Sequence, residues 1–173
     1  IYNSPFVNII LLFFISLVKV IIMKKILRIL IIFIPWLLSG IIFKYDSKYY
    51  SSLNIPSIAL PPKLISISWI IIYILISISV YKLSKKENII KNSDYFYVLI
   101  TNYLANQLFL YGFFYLKSPF LGFILTVITF ISSIFLFIES KKIDKKSSYF
   151  LIPYITYSAY AFILSLLTYI MNF

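Results

Sequence analysis

The chain has 173 residues, of which 62% are hydrophobic and only 12% are charged, and its mean hydropathy is +0.98. A soluble domain of this size carries roughly twice that charged fraction, so the composition predicts a protein that crosses a membrane several times. The absence of cysteine and histidine excludes disulfides, thiolate clusters and imidazole metal ligands. The formal charge of +11 lies in short lysine clusters between apolar runs, which is typical of topology signals and not of a nucleic-acid-binding face.

The N-terminal segment differs from the rest of the chain. The apolar stretch over residues 5–22 is interrupted by Asn8 and Lys19, and its uninterrupted core of about 10 residues is short for a membrane span. Met23 and the two lysines after it have the form of a bacterial start before a first hydrophobic span. We interpret residues 1–25 as an N-terminal extension, in which residues 1–22 lie upstream of a start at Met23. The alternative is a signal-like or additional membrane segment.

Residues 26–173 contain five apolar segments that are separated by polar loops. Each segment is near the ~20 residues that a helix needs to cross ~30 Å of hydrocarbon. Their approximate bounds are 26–43, 63–83, 94–116, 120–138 and 149–172. The sequence therefore predicts an all-α integral membrane protein, folded as a five-transmembrane-helix bundle.

The basic residues are distributed unequally between the two ends of this bundle. Eleven of them lie near 24–28, 82–91 and 141–146, whereas four lie on the opposite side. Because basic residues are retained on the cytoplasmic side, the N-terminus is predicted to be inside and the loop after the first span outside. A bacterial inner membrane is the expected location.

The loop between the first two spans carries prolines and leads into an aromatic helix face. Pro56, Pro61 and Pro62 restrict the backbone and stiffen the loop without breaking the helix that follows. Trp69 and Tyr73 are four residues apart and so share one face of that helix. A rigid loop next to an aromatic face indicates a pocket covered by a lid.

Polar and aromatic residues form two further stripes. In the third span the spacings of 4, 3 and 4 place Asn102, Asn106, Phe109 and Phe113 on one face. In the last span Tyr157, Ala161 and Ser165 share a face. Each stripe either lines a cavity or only packs against a neighbouring helix. No ionisable residue lies near the middle of a span, which argues against an ion-coupled pump.

Three motifs of the chain resemble those of one membrane protein family. A Tyr-Tyr and proline loop followed by Trp-x-x-x-Tyr is formed by Tyr49, Tyr50, Leu53, Pro56, Pro61, Trp69 and Tyr73. An Asn followed by aromatic residues is formed by Asn106, Phe109, Phe113 and Phe114. A last-helix pattern is formed by Pro153, Tyr154, Tyr157, Ala161 and Ser165. Together they resemble the TspO/translocator protein family, although Tyr49, Phe109 and Tyr157 stand where that family usually has tryptophan.

The resemblance implies a five-helix bundle, commonly a homodimer, with a pocket closed by the first loop. Members bind porphyrins such as protoporphyrin IX, and some bind sterols. The implied partners are membrane lipid and a hydrophobic small molecule, and nucleic acid is not among them. No metal site and no catalytic residue is implied. The implied ligand is a free porphyrin, whose polar substituents the two asparagines and lysines at the mouth would attract. The implied ligand-binding residues are Pro61 in the lid, Trp69, Tyr73, Asn102, Asn106, Phe109, Tyr157 and Ala161.

Three functions are compatible with these residues. The first is a receptor, sensor or carrier for tetrapyrroles or similar flat hydrophobic ligands. The second is an enzyme that degrades porphyrin in light and oxygen, as is reported for some bacterial members. The third is a structural or assembly protein whose stripes only pack helices.

Gly112 and Gly122 are the candidates for a dimer seam.

Overall fold

The computed structural model describes residues 23–173, and in this part of the chain the secondary structure is helical without strands. The predicted extension 1–25 lies outside the described residues except for its last three. The helices of six or more residues are α1 (Met23–Ile42), α2 (Ser47–Ser52), α3 (Pro62–Leu83), α4 (Ser93–Leu110), α5 (Pro119–Ile143) and α6 (Ile152–Met171). The all-α prediction is confirmed.

Four helical segments of the described residues are long and apolar enough to cross a membrane. They are Met23–Ile42, Pro62–Leu83, Pro119–Ile143 and Lys145–Met171, the last of which includes α6. Large apolar side chains such as Ile71 and Phe135 are exposed, whereas small polar ones such as Ser133 are buried. This inversion is expected of a protein surrounded by lipid. The fifth long helix, α4, does not belong to this set, so the count of five spans stays a prediction.

The helix ends follow the local sequence. Asn92 and Ser118 accept hydrogen bonds from backbone N–H groups in the first turns of α4 and α5, and Pro62 and Pro119 stand at first-turn positions. Lys117 adopts a positive φ of 52° in the tight turn between α4 and α5. These signals explain why three predicted span starts lie within a residue of the observed ones.

Two segments differ from the sequence prediction. α5 extends to Ile143, past the predicted end near residue 138, because lysines in its last turn interact favourably with the helix dipole. α4 continues as a π-helical turn over Tyr111–Tyr115, where the amide of Leu116 bonds to the carbonyl of Tyr111. The wider turn projects Phe113 and Phe114 into the bundle, where both are buried.

The two glycines proposed for a dimer seam lie at a helix contact within the bundle. Gly112 on the π-helical turn is in contact with Leu121 and Leu125 of α5, and Gly122 of α5 is in contact with the ring of Phe113. Both therefore allow close approach between the end of α4 and the start of α5. They are not available for contact with a second copy.

Candidate functional site

A cavity of about 710 Å³ lies within the bundle, with lining residues from α1, α3, α4, α5 and α6 and from the loop between α1 and α3. We call that loop, residues 44–61, the lid. Six of the eight predicted site residues line the cavity: Trp69, Tyr73, Asn106, Phe109, Tyr157 and Ala161. Pro61 and Asn102 do not line it. Pro62 is at the cavity instead of Pro61, and Asn102 lies deeper between helices.

Aromatic rings form two walls of the cavity. Trp69 of α3 lies 5.6 Å from the ring of Tyr73 and 5.3 Å from that of Tyr157, the latter edge to face. On α4 the rings of Phe109 and Phe113 are stacked at 5.5 Å, with planes 9° apart. Such walls bind flat apolar molecules by stacking and burial of apolar area.

Trp36 is a cavity residue that sequence reasoning did not assign to the site. Its ring stacks on Tyr73 at 5.5 Å and meets Tyr103 edge to face at 5.2 Å. Trp36 is only 4% exposed, although it belongs to α1, the most exposed of the spanning helices. The signal present in the sequence was a tryptophan next to Pro35 in the middle of an apolar span.

The position of Trp36 depends on a break in α1. Pro35 lies in a 3₁₀ turn, Ile34–Leu37, that interrupts the helix. Gln107 of α4 accepts a bond from the amide of Ser39 at 2.8 Å and donates to the carbonyl of Trp36 at 3.2 Å. One side chain of α4 thus satisfies two backbone groups at the break, as a helix interior without water requires.

Asn102, Asn106, Tyr73 and Tyr154 form a hydrogen-bonded chain beneath the aromatic wall. Tyr73 donates to Oδ1 of Asn106 at 2.6 Å, and Nδ2 of Asn106 donates to the hydroxyl of Tyr154 at 3.3 Å. The Tyr154 hydroxyl in turn donates to Oδ1 of Asn102 at 2.9 Å. Asn102 also donates to α5, at the hydroxyl of Ser132 and a backbone carbonyl. The chain links α3, α4, α5 and α6, and it engages both asparagines internally.

The wall between α5 and α6 is lined by small hydroxyl side chains. Thr126 and Ser165 are bonded to each other across the two helices, as are Ser133 and Ser158 at 3.0 Å. In each pair one hydroxyl donates to the other, whose own hydrogen can bond to a carbonyl of its own helix. The wall is therefore polar in composition but internally satisfied, and it carries no charge.

The lid is bonded to α6 at two points. The Tyr160 hydroxyl accepts from the amide of Leu60 and donates to the carbonyl of Ile58, both at 3.0 Å. The Asn54 amide donates to Oδ1 of Asn172 at 2.8 Å, and Nδ2 of Asn172 donates to the Asn54 carbonyl at 2.9 Å. These bonds hold the lid against the helix that supplies Tyr157.

The other end of the lid is held by an electrostatic contact. Asp46 caps α2 by accepting from the amide of Tyr49, and its carboxylate lies 3.5 Å from the ammonium of Lys117. The Tyr49 amide, and after it the Lys117 ammonium, hold the pKa of the Asp46 carboxyl below its usual range. No group of three or more metal-ligating side chains occurs within residues 23–173.

Comparison with known proteins identifies the family of this chain. A model of the TspO/MBR family matches residues 28–170. The chain belongs to the TspO/MBR family. It is similar to the Tryptophan-rich protein TspO of Bacillus cereus, with 31% identity over 134 residues, which cover 78% of this chain and 87% of the relative. It is also similar to the uncharacterized membrane protein YtaB of Bacillus subtilis, with 31% identity over 147 residues, 83% of this chain and 95% of the relative.

The two attachment points give a testable expectation for the lid of this TspO/MBR chain. Tyr160→Phe removes two hydrogen bonds of about 0.5–1.5 kcal/mol each, about 2 kcal/mol together, so the lid is expected to open about 30-fold more often. Hydrogen exchange of a peptide covering residues 54–62, followed by mass spectrometry, measures this opening. Tyr97→Phe is the matched control, because Tyr97 is 69% exposed and outside the cavity. Equal exchange in both variants would contradict the role of Tyr160.

Proposed function

We propose that this chain is a membrane receptor or carrier that binds tetrapyrroles, protoporphyrin IX foremost, or similar flat hydrophobic ligands in the cavity. The supporting observation is the cavity itself, because about 710 Å³ falls within the ~300–1,000 Å³ typical of small-molecule sites. Its two aromatic walls suit a flat polarisable ring system. The lid gives a means to admit the ligand and to exclude lipid.

We also propose the topology that accompanies this function. α4 is the fifth span: its asparagines and Gln107 lower its hydropathy, but they bond to other helices and not to lipid. The lysine distribution supports an inner-membrane location, with the N-terminus inside and the lid outside. The family resemblance supports a homodimer, through a surface other than the two glycines.

Trp69 provides the test of ligand binding. Trp69→Ala removes a large aromatic contact worth about 2 kcal/mol, so the Kd for protoporphyrin IX is expected to rise about 30-fold. Titration of the purified protein, followed by quenching of tryptophan fluorescence, measures it. Trp36 also lines the cavity and remains as the reporter in this variant.

Phe135→Ala is the matched control, because Phe135 is 51% exposed on α5 and does not line the cavity. Its Kd is expected to equal that of the wild type. A Trp69→Ala variant that binds as tightly as the wild type would rule out this cavity as the porphyrin site. A change in the absorption spectrum of bound porphyrin on illumination would favour the degrading enzyme over the receptor.

A further inference from the structure

Lys63 is the single charged side chain among the described residues that line the cavity. It is exposed in the first turn of α3, next to Pro62 at the lid end. The ion pairs within residues 23–173 join Lys117 to Asp46 and Lys142 to Glu139, so neither uses Lys63. Residues 1–22 contain no aspartate or glutamate that could pair with it. The mouth of the cavity therefore holds a cation without a carboxylate partner.

The helix itself does not favour a lysine at this place. The N-terminus of α3 carries the positive end of the helix dipole, and its first turn has no acidic residue. A lysine there adds like charge to that end of the helix. An anion at the mouth would offset both the ammonium and the dipole.

The interior of the cavity offers no comparable site for an acid group. Asn106 has both of its amide atoms bonded, to Tyr73 and Tyr154, and Asn102 does not line the cavity. The hydroxyls facing the cavity are neutral: those of Thr126, Ser158, Ser165 and Thr168 are bonded to another hydroxyl or to their own helix, and that of Tyr157 is buried without a partner among the described residues. A carboxylate placed there would lose its hydration without gaining a cation.

The mouth of the cavity and its aromatic inner end lie at different heights along α3. Lys63 and Tyr73 are ten residues apart, which corresponds to about 15 Å along the helix axis. The aromatic residues Trp69, Tyr73 and Trp36 lie toward the inner end, and Lys63 lies at the mouth. An elongated or disc-shaped ligand can span this length with an apolar edge inside and a polar edge outside.

We propose that Lys63 binds the carboxylate of the ligand at the mouth, so that this cavity selects flat apolar acids and holds them with the acid group directed outward. The inference rests on the proposed function and deepens it, since it names the class of ligand and its orientation. It narrows the expectation that the two asparagines and lysines at the mouth attract the polar substituents to one lysine, because both asparagines are engaged within the bundle.

The test compares two probes with the same ring system, protoporphyrin IX and its dimethyl ester, which lacks the free acids. The full chain is placed in phosphatidylcholine nanodiscs, and both probes are titrated against the wild type, Lys63→Gln and Lys48→Gln. A partly exposed ion pair contributes up to about fivefold in Kd. Lys63→Gln is therefore expected to weaken binding of the acid about fivefold and to leave the ester unchanged. Raising the salt concentration should weaken binding of the acid in the wild type but not in Lys63→Gln.

Lys48→Gln is the matched control, because Lys48 is an exposed lysine of the lid that does not line the cavity. It is expected to change neither Kd. Equal effects of Lys63→Gln on the two probes, or no effect on either, would overturn the inference while leaving porphyrin binding intact. No saturable binding of either probe to the wild type would overturn the proposed function, and the inference with it.

Discussion

Asn102→Leu is expected to lower the free energy of unfolding by about 2 kcal/mol, because it breaks the hydrogen bonds of a buried polar chain. Asn102 is 0% exposed and accepts a hydrogen bond from the Tyr154 hydroxyl. It also donates to the hydroxyl of Ser132 and to the carbonyl of Thr129. Leucine has a similar volume, so the loss comes from the hydrogen of the Tyr154 hydroxyl, which still accepts from Asn106 but has lost its own acceptor, and not from a cavity.

Unfolding by SDS in mixed micelles, followed by circular dichroism, measures the difference. Asn88→Leu is the control, since Asn88 is exposed in the loop after α3, and a change below about 0.5 kcal/mol is expected. Tyr154→Phe in the Asn102→Leu background removes the hydroxyl hydrogen that has lost its acceptor, so the double variant should be more stable than the sum of the single variants predicts. Additive effects would show that the two side chains do not act through their mutual bond.

The pattern of the sequence predicted helix faces well. Residues at spacings of three and four share a face, so Trp69 with Tyr73, and Tyr157 with Ala161, could be assigned together, and all four line the cavity. The family could likewise be recognised, because its motifs occur in this chain in the same order and with similar loop lengths between them. The start of α5 was predictable because Ser118 and Pro119 are local signals.

What could not be predicted depends on contacts between distant parts of the chain. Asn102 and Asn106 share a face of α4, but one meets Ser132 of α5 and the other meets Tyr73 of α3. Their spacing carries no information about these partners. Trp36 enters the cavity because Gln107, 71 residues away, bonds to the broken turn of α1. The attachment of the lid to Asn172 joins residues 118 apart.

The contact between α4 and α5 predicts a second large effect, at Gly122. A Cβ added to Gly122 would lie 2.5 Å from Cδ2 of Phe113 and 3.3 Å from its Cβ and Cγ. The Phe113 ring cannot turn aside freely, because it is 6% exposed, stacked on Phe109 and in edge contact with Phe114 at 4.9 Å. Gly122→Ala is therefore expected to destabilise the chain by about 1–3 kcal/mol through overpacking.

Gly40 of α1 is the matched control, since an added Cβ there meets no atom of residues 23–173 within 4 Å. Gly40→Ala removes a flexible residue from a helix and is expected to stabilise by about 0.5–1 kcal/mol. The same SDS unfolding experiment compares the two variants. Because Phe109 and Phe113 both line the cavity, Gly122→Ala should also weaken porphyrin binding. A Gly122→Ala variant with normal stability and normal binding would contradict this prediction. It would show that α4 and α5 can move apart without affecting the aromatic wall.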